Sequence, residues 1–280
     1  MISYDRMMRI KFNTSELVSI LTQEEFDYHR AGKWMDDHVI FTLQAVFLYL
    51  VSIFSIQHMM RSRDPFKLQM PVAVWNFSIA LLSGVCATIM APEFVNSVFC
   101  KGFDASLCST REEVYSGMNG WAVFILLFSR LPEFIDTLFI VLKKQPLLFI
   151  HYYHHAFTLW FAWSTYTMFA PSFRHAIFIN ACIHTVMYSY YFFTTLKIRP
   201  PPFVAKCITI AQIVQFIYIF YALIHHTILT VILNVPCQTN TTGLVLSWYM
   251  DLSYLYLFID FYTNKYKGSK KASQTSKKID

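Results

Sequence analysis

Long apolar segments alternate with short polar ones along this chain. The apolar segments lie near residues 38–60, 70–91, 118–142, 147–169, 173–195, 203–233 and 245–264. A helix needs about 20 mainly apolar residues to cross a bilayer, and each segment is long enough. Alternation with a period of two residues is absent and each segment is too long for a barrel strand, so the pattern predicts helices. We therefore expect an all-α, polytopic membrane protein with seven transmembrane helices.

The composition fits a chain whose main solvent is lipid. Of the 280 residues, 55% are hydrophobic and only 14% are charged, whereas a soluble domain carries about 25% charged residues. The net charge of +6 is concentrated in short clusters, which suits a lipid bilayer surface or anionic ligands better than nucleic acid. We expect a lumenal N-terminal segment at 1–37, the seven-helix domain at 38–265 and a basic cytosolic tail at 266–280.

The distribution of lysine and arginine predicts the orientation, because cytoplasmic loops carry an excess of these residues. The segments 61–69, 143–146 and 196–206 and the C-terminal tail hold 14 of the 23 basic residues, and eight lie on the opposite side. The N-terminus is thus predicted to be lumenal and the C-terminus cytosolic. The last four residues, KKID at 277–280, resemble a dilysine retrieval signal, which predicts the endoplasmic reticulum membrane.

Cysteines and glycosylation sequons agree with this orientation. Cys100, Cys108 and Cys237 fall in predicted lumenal loops, where disulfides form. We expect a bridge from Cys237 to Cys100 or Cys108, and three free thiols are the alternative. Asn13 and Asn240 each begin an N-x-S/T sequon on the same side, so both are glycosylation candidates.

Polar side chains within the predicted spans form one layer. The third span carries Arg130, Glu133 and Asp136, the fourth His151, His154 and His155, the fifth His184, Tyr188 and Tyr191, and the sixth Gln212 and Gln215. Helical spacing places each set on one face. At about 1.5 Å per residue, the layer lies roughly 10–18 Å from the cytosolic ends of the spans. Ionisable groups are expensive in a membrane, so their common depth indicates a functional site.

Two kinds of chemistry use histidines in this arrangement. A di-iron desaturase or hydroxylase needs three histidine boxes, whereas this chain has one HxxHH, at 151–155. A single zinc remains open, with the ligands His151, His154, His155 and Asp136. The other chemistry is acyl transfer, in which a neutral imidazole attacks a thioester and the acyl-imidazole is kept from water.

Four motifs occur in order along the spans. They are RLPEFIDT at 130–137, HYYHH at 151–155, HTVMYSYY at 184–191 and TIAQIVQ at 209–215. In order and spacing they resemble the KxxExxDT, HxxHH, HxxMYxYY and TxxQxxQ motifs of the very-long-chain fatty acid elongase (ELO) family. Arg130 replaces the usual lysine, which keeps the charge but not the geometry.

The resemblance implies the fold and the reaction. Seven helices would enclose an acyl-chain tunnel, and a 3-ketoacyl-CoA synthase would condense a long-chain acyl-CoA with malonyl-CoA, releasing CO2 and CoA. No metal and no cofactor are expected beside malonyl-CoA as co-substrate. The implied partners are the ketoacyl reductase, dehydratase and enoyl reductase of the elongation cycle, and a second copy in a homodimer. A di-iron desaturase or a non-enzymatic seven-span receptor or transporter is the alternative.

The resemblance also suggests roles for the polar layer. His154 carries the acyl group, and His184 assists proton transfer or stabilises an enolate. His151, His155 and Asp136 orient the imidazoles.

Further residues are expected to bind substrate. Arg130 is one of these candidates, and we expect it to form a buried pair with Glu133, which is a further catalytic candidate. The hydrogen-bonding candidates are Tyr188, Tyr191, Gln212 and Gln215. The candidates for CoA phosphates are Lys143, Lys144, Lys197, Arg199 and Lys206, unless these charges only set the topology. Pro132 and the segment 144–150 resemble the branch of the family that elongates saturated and monounsaturated chains.

Overall fold

The computed structural model describes residues 12–168 and 170–267, which form twelve α-helices and no strand. The helices are α1 (Thr14–Thr22), α2 (Tyr28–Asp37), α3 (Val39–Met59), α4 (Gln69–Val95), α5 (Phe103–Cys108), α6 (Arg111–Tyr115), α7 (Gly117–Phe128), α8 (Phe134–Leu142), α9 (Phe149–Tyr166), α10 (Phe173–Thr195), α11 (Pro202–Thr227) and α12 (Thr241–Tyr262). The all-α prediction is confirmed. The dilysine sequence and most of the predicted tail lie outside the described residues.

Five helices of the described part are long and apolar enough to cross a membrane. With their terminal turns they are Val39–Ser62, Gln69–Cys100, Phe173–Thr195, Pro202–Ile232 and Thr241–Tyr266. They correspond to five of the seven predicted spans, so the chain is a multi-pass membrane protein. The predicted fourth span corresponds to α9, which covers 18 residues and carries the three clustered histidines.

The predicted third span, 118–142, is divided into two helices, so the predicted count of seven transmembrane helices is not fully confirmed. α7 ends at Phe128 and α8 begins at Phe134. Pro132 has no N–H to donate, and its ring clashes with the carbonyl four residues earlier in a helix. The Phe128 carbonyl accepts from the Leu131 N–H instead, at 3.2 Å. The break turns the first motif into a compact bend between two short helices.

The spans pack as a ring around a central space. α4 lies between α7 and α10, α10 contacts α11, and α11 contacts α12. α12 then contacts α9, α9 contacts α3, and α3 contacts α8. Because α7 and α8 together occupy one position, the ring closes. Each span can therefore present one polar face inward, as the helical spacing of the motifs requires.

The N-terminal segment belongs to the same core as the bundle. Ile20 of α1 and Met35 of α2 are fully buried. The Trp163 indole of α9 donates to the Met35 carbonyl at 2.7 Å, and the Trp121 indole of α7 donates to the Leu21 carbonyl at 3.2 Å. α1 and α2 thus cover one end of the ring.

Covalent and ionic contacts hold that end together. A disulfide joins Cys108, at the end of α5, to Cys237 in the segment before α12. The buried Arg174 guanidinium at the start of α10 pairs with Glu93 and also donates to Ser97, both near the end of α4. These contacts connect four parts of the chain far apart in sequence, so they fix how the spans meet.

Candidate active site

A cavity of about 490 Å³ lies between α4, α8, α9, α10, α11 and α12. Among the residues predicted from the sequence, those that line it are Asp136, Lys143, His151, His154, His155, His184, Tyr188, Tyr191, Gln212 and Gln215. Four helices that are separate in sequence therefore bring their polar faces to one space. Its volume is within the range of about 300–1,000 Å³ that ligand sites usually have.

The three histidines of α9 differ in their contacts. The His151 Nε2 is 2.9 Å from the Thr137 hydroxyl, which is itself 2.8 Å from the Tyr49 hydroxyl. His155 is buried, and its ring centroid is 4.4 Å from that of His151. The His154 ring is only half-buried, lines the cavity and has no hydrogen-bond partner among the described residues. A free imidazole facing a cavity is the form that can attack a carbonyl.

Asp136 accepts hydrogen bonds from two donors, one on α4 and one on α10. The Trp75 indole donates to one carboxylate oxygen and the Tyr188 hydroxyl to the other, each at 2.6 Å. Within the described residues no histidine donates to this carboxylate, so the structure does not support the hypothesis that Asp136 orients the imidazoles directly. Thr137, the next residue of the motif, contacts His151 instead.

Arg130 and Glu133 form an ion pair inside the protein. The Arg130 Nη1 is 3.1 Å from a Glu133 carboxylate oxygen, and both side chains are more than nine-tenths buried. The same Nη1 is 3.4 Å from the His184 Nδ1. Neither Arg130 nor Glu133 lines the cavity, so the hypothesis that Arg130 contacts substrate is not supported. Arg130 instead contacts the ring of His184, which lines the cavity.

The glutamines and tyrosines of the motifs lie along the cavity wall. The Gln212 amide is 3.2 Å from the Met187 sulfur, Gln215 is buried, and Tyr191 is partly exposed at the wall. Tyr254 of α12 was not predicted, although its ring centroid is 5.0 Å from that of His154 and its hydroxyl donates to the His154 carbonyl at 3.2 Å.

Of the basic residues predicted to bind CoA phosphates, only one lines the cavity. Lys143 lines the cavity, and so does Lys265, which was not predicted as a site residue. The Lys144 ammonium donates to the backbone carbonyls of Arg61 and Arg63, at 3.4 and 3.1 Å, and so connects two loops. The remaining basic candidates are exposed and lie outside the cavity lining: Lys197, Arg199 and Lys206.

Other predicted positions lie far from this cavity. Cys108 pairs with Cys237, and Cys100 is an exposed free cysteine. Asn13 and Asn240 each accept a backbone N–H at a helix start, at 3.0 Å, so both sequon asparagines act as N-caps. In the part of the chain that the structure describes, no three His, Cys, Asp or Glu side chains are placed to share a metal ion.

Some cavity residues were not predicted from the sequence. Asn76 of α4 and Asn180 of α10 line the cavity, and so do Phe216 and Phe258. The asparagines were detectable, because polar groups in spans are costly. The phenylalanines were not, since the chain has 27.

A ring of membrane-spanning helices around a histidine-lined cavity with two lysines in its wall defines a polytopic membrane enzyme. Comparison with known proteins identifies the family. The model of the ELO (GNS1/SUR4) family matches residues 34–274. The chain belongs to this family.

Curated relatives agree with the family match. The chain is 39% identical to long chain fatty acid elongase 1 of Caenorhabditis elegans over 93% of this chain and 91% of that protein. It is 36% identical to long chain fatty acid elongase 2 of the same species, over 93% and 95%, and 30% identical to very long chain fatty acid elongase 6 of Mus musculus, over 92% and 98%. The prediction of a fatty acid elongase is confirmed, and the desaturase and receptor or transporter alternatives are not supported.

Proposed function

We propose that this elongase joins its two substrates in the histidine-lined cavity, with His154 as the acyl carrier. The single observation that carries the assignment is the difference in hydrogen bonding and burial among the three α9 histidines. All three histidines line the cavity, but His151 is engaged with Thr137 and His155 is buried, whereas His154 is half-buried and its ring has no hydrogen-bond partner among the described residues. The apolar helices around the site exclude water, which protects an acyl-imidazole from hydrolysis.

The proposed reaction has two half-reactions. A His154 ring nitrogen attacks the thioester carbonyl of acyl-CoA, the C–S bond breaks, and the CoA thiolate takes the proton that the imidazole loses. Malonyl-CoA then loses CO2, and the electron pair of the broken C–C bond forms an enolate. The enolate carbon attacks the acyl carbonyl, the imidazole leaves and regains a proton from solvent, and 3-ketoacyl-CoA is released. One proton is consumed overall, and it appears as the CoA thiol.

The substrates reach the cavity from the end that carries Lys143 and Lys265. Their ammonium groups are the cavity's own cations and would contact CoA phosphates, whereas Lys144 is occupied by loop carbonyls. Charge-assisted hydrogen bonds to phosphate are among the stronger polar contacts. Pro132 and the segment 144–150 resemble the saturated and monounsaturated branch of the family, and this resemblance supports saturated or monounsaturated acyl-CoA as substrates.

The cellular setting follows from the predicted topology. The excess of basic residues on one side supports a cytosolic mouth and a lumenal N-terminus, and the paired Cys108 and Cys237 fit the oxidising lumen of the endoplasmic reticulum. The product then passes to a reductase, a dehydratase and a second reductase, because this chain carries no glycine-rich dinucleotide motif. A homodimer stays a prediction that size measurement in detergent can test.

The test uses purified protein in detergent, a saturated long-chain acyl-CoA and radiolabelled malonyl-CoA. We expect labelled 3-ketoacyl-CoA from the wild type and none from His154→Ala. Acyl-CoA alone should add one acyl group to the intact protein, as measured by mass spectrometry, and the adduct should be absent in His154→Ala. His225→Ala, which changes a histidine outside the cavity lining, is the matched control. Full condensing activity in His154→Ala would refute the carrier assignment.

A further inference from the structure

The Arg130 guanidinium is fixed by three acceptors at once. Its Nε donates to the Leu126 carbonyl at 3.1 Å, and its Nη1 lies 3.1 Å from Glu133 and 3.4 Å from the His184 Nδ1. Glu133 lies three residues after Arg130, at the break between α7 and α8, so the two side chains are neighbours along the chain. The Ser129 hydroxyl also donates to Glu133, at 3.3 Å.

The direction of the contact with His184 follows from the chemistry of arginine. A guanidinium has five N–H donors, no acceptor, and does not lose its proton in proteins. The His184 Nδ1 must therefore accept, so it carries no proton. In a neutral imidazole the single ring proton is then on Nε2. His184 lines the cavity, and its remaining polar atom is a donor.

We propose that Arg130 is a positioning residue that holds His184 as the neutral Nε2–H tautomer, so that His184 donates a hydrogen bond to substrate and does not act as a base. The acceptor is the thioester oxygen on which negative charge develops, either as malonyl-CoA loses CO2 or as the acyl carbonyl is attacked. This inference rests on the proposed function of the cavity, and it decides between the two roles that the sequence left open for His184.

The replacement of the family's usual lysine by Arg130 has a physical consequence here. An ammonium is also only a donor, but it is a compact group on a flexible stem, whereas the planar guanidinium keeps its donors in a rigid fork. The fork can satisfy the Leu126 carbonyl, Glu133 and His184 together. We expect Arg130→Lys to keep the tautomer of His184 and to lower the turnover number more than it raises the KM for acyl-CoA.

The first test compares two substitutions of His184. Glutamine can donate from its amide but cannot take up a proton at neutral pH, and methionine can do neither. Removing one donor to an oxyanion lowers kcat by about 10²–10³-fold, so we expect that loss in His184→Met and a turnover at least about tenfold higher in His184→Gln. If both variants bind acyl-CoA and are equally inactive, the donor role is wrong. Melting midpoints in detergent show whether each variant is folded.

The second test reads the tautomer directly. Protein with ¹⁵N-labelled histidine rings is studied by NMR in detergent, and the His184 signals are those lost in His184→Gln. We expect an unprotonated Nδ1 and a protonated Nε2 in the wild type and in Arg130→Lys. A proton on Nδ1 of the wild type overturns the proposal. This measurement needs no turnover, so the absence of an acyl adduct on His154 would overturn the proposed function without affecting this result.

Discussion

Replacing Asp136 by asparagine tests how the carboxylate is held. Trp75 and Tyr188 donate to different oxygens of Asp136, each at 2.6 Å. Asparagine keeps one acceptor oxygen, but its NH2 group then faces one of the two donors. The variant loses one charge-assisted hydrogen bond and leaves a partly buried donor unpaired, which costs about 1.5–3 kcal/mol.

That cost is measurable as a lower melting midpoint in detergent. A change of 1 kcal/mol moves the midpoint by about 2–4 °C in a domain of 150–250 residues, so we expect Asp136→Asn to lower it by roughly 3–12 °C. The control is the background Trp75→Phe/Tyr188→Phe, in which neither donor remains. There the same substitution should cost nothing or stabilise, because it removes a buried charge that has no partner. Equal losses in the two backgrounds would refute the account of the contacts.

Three further outcomes follow from local features. Gly120→Ala should lower the melting midpoint strongly, because the added Cβ would overlap the backbone of the preceding turn; an unchanged midpoint would contradict this. Lys143→Ala should raise the KM for acyl-CoA more at low salt than at high salt, whereas Lys144→Ala should leave that KM unchanged in steady-state assays. The hydrogen bond from Arg30 lowers the pKa of Glu16, so Glu16→Gln should lower the midpoint at neutral pH and lose its effect as the pH falls below the ordinary range of glutamate, as pH-dependent melting would show.

The sequence predicted the spans and the polar layer because both depend on periodicity. Apolar length locates a helix in a membrane, and spacings of three and four residues place His151, His154 and Asp136 on inward faces. Those residues line one cavity. The sequence did not predict that the third span is broken, although Pro132 marks the position, because membrane helices can also tolerate proline when neighbours satisfy the freed backbone groups.

Contacts between helices were beyond the reach of periodicity. Trp75 and Tyr254 each bind a residue of the site, yet nothing in their own segments separates them from other aromatic residues of the spans. The same limit applies to the basic residues. Lys143 and Lys144 are adjacent, but one lines the cavity and the other connects two loops. Lys144 has a left-handed backbone conformation, with a φ of 54°, just after the end of α8.

The short helix α8 sets a distance that the substrate must match. It carries Asp136 of the polar layer and is followed at once by Lys143, seven residues later, so the two are separated by about 10 Å along the axis. In a free fatty acid the negative charge is on the carboxylate, whose carbon is the one that would react. That carbon cannot reach the polar layer while the carboxylate stays beside Lys143. In an acyl-CoA the long pantetheine arm separates the thioester from the phosphates, so the thioester can reach the polar layer while the phosphates stay beside Lys143. On the roles proposed for Lys143 and the polar layer, the length of one helix would thereby discriminate between activated and unactivated acyl chains before any bond is made.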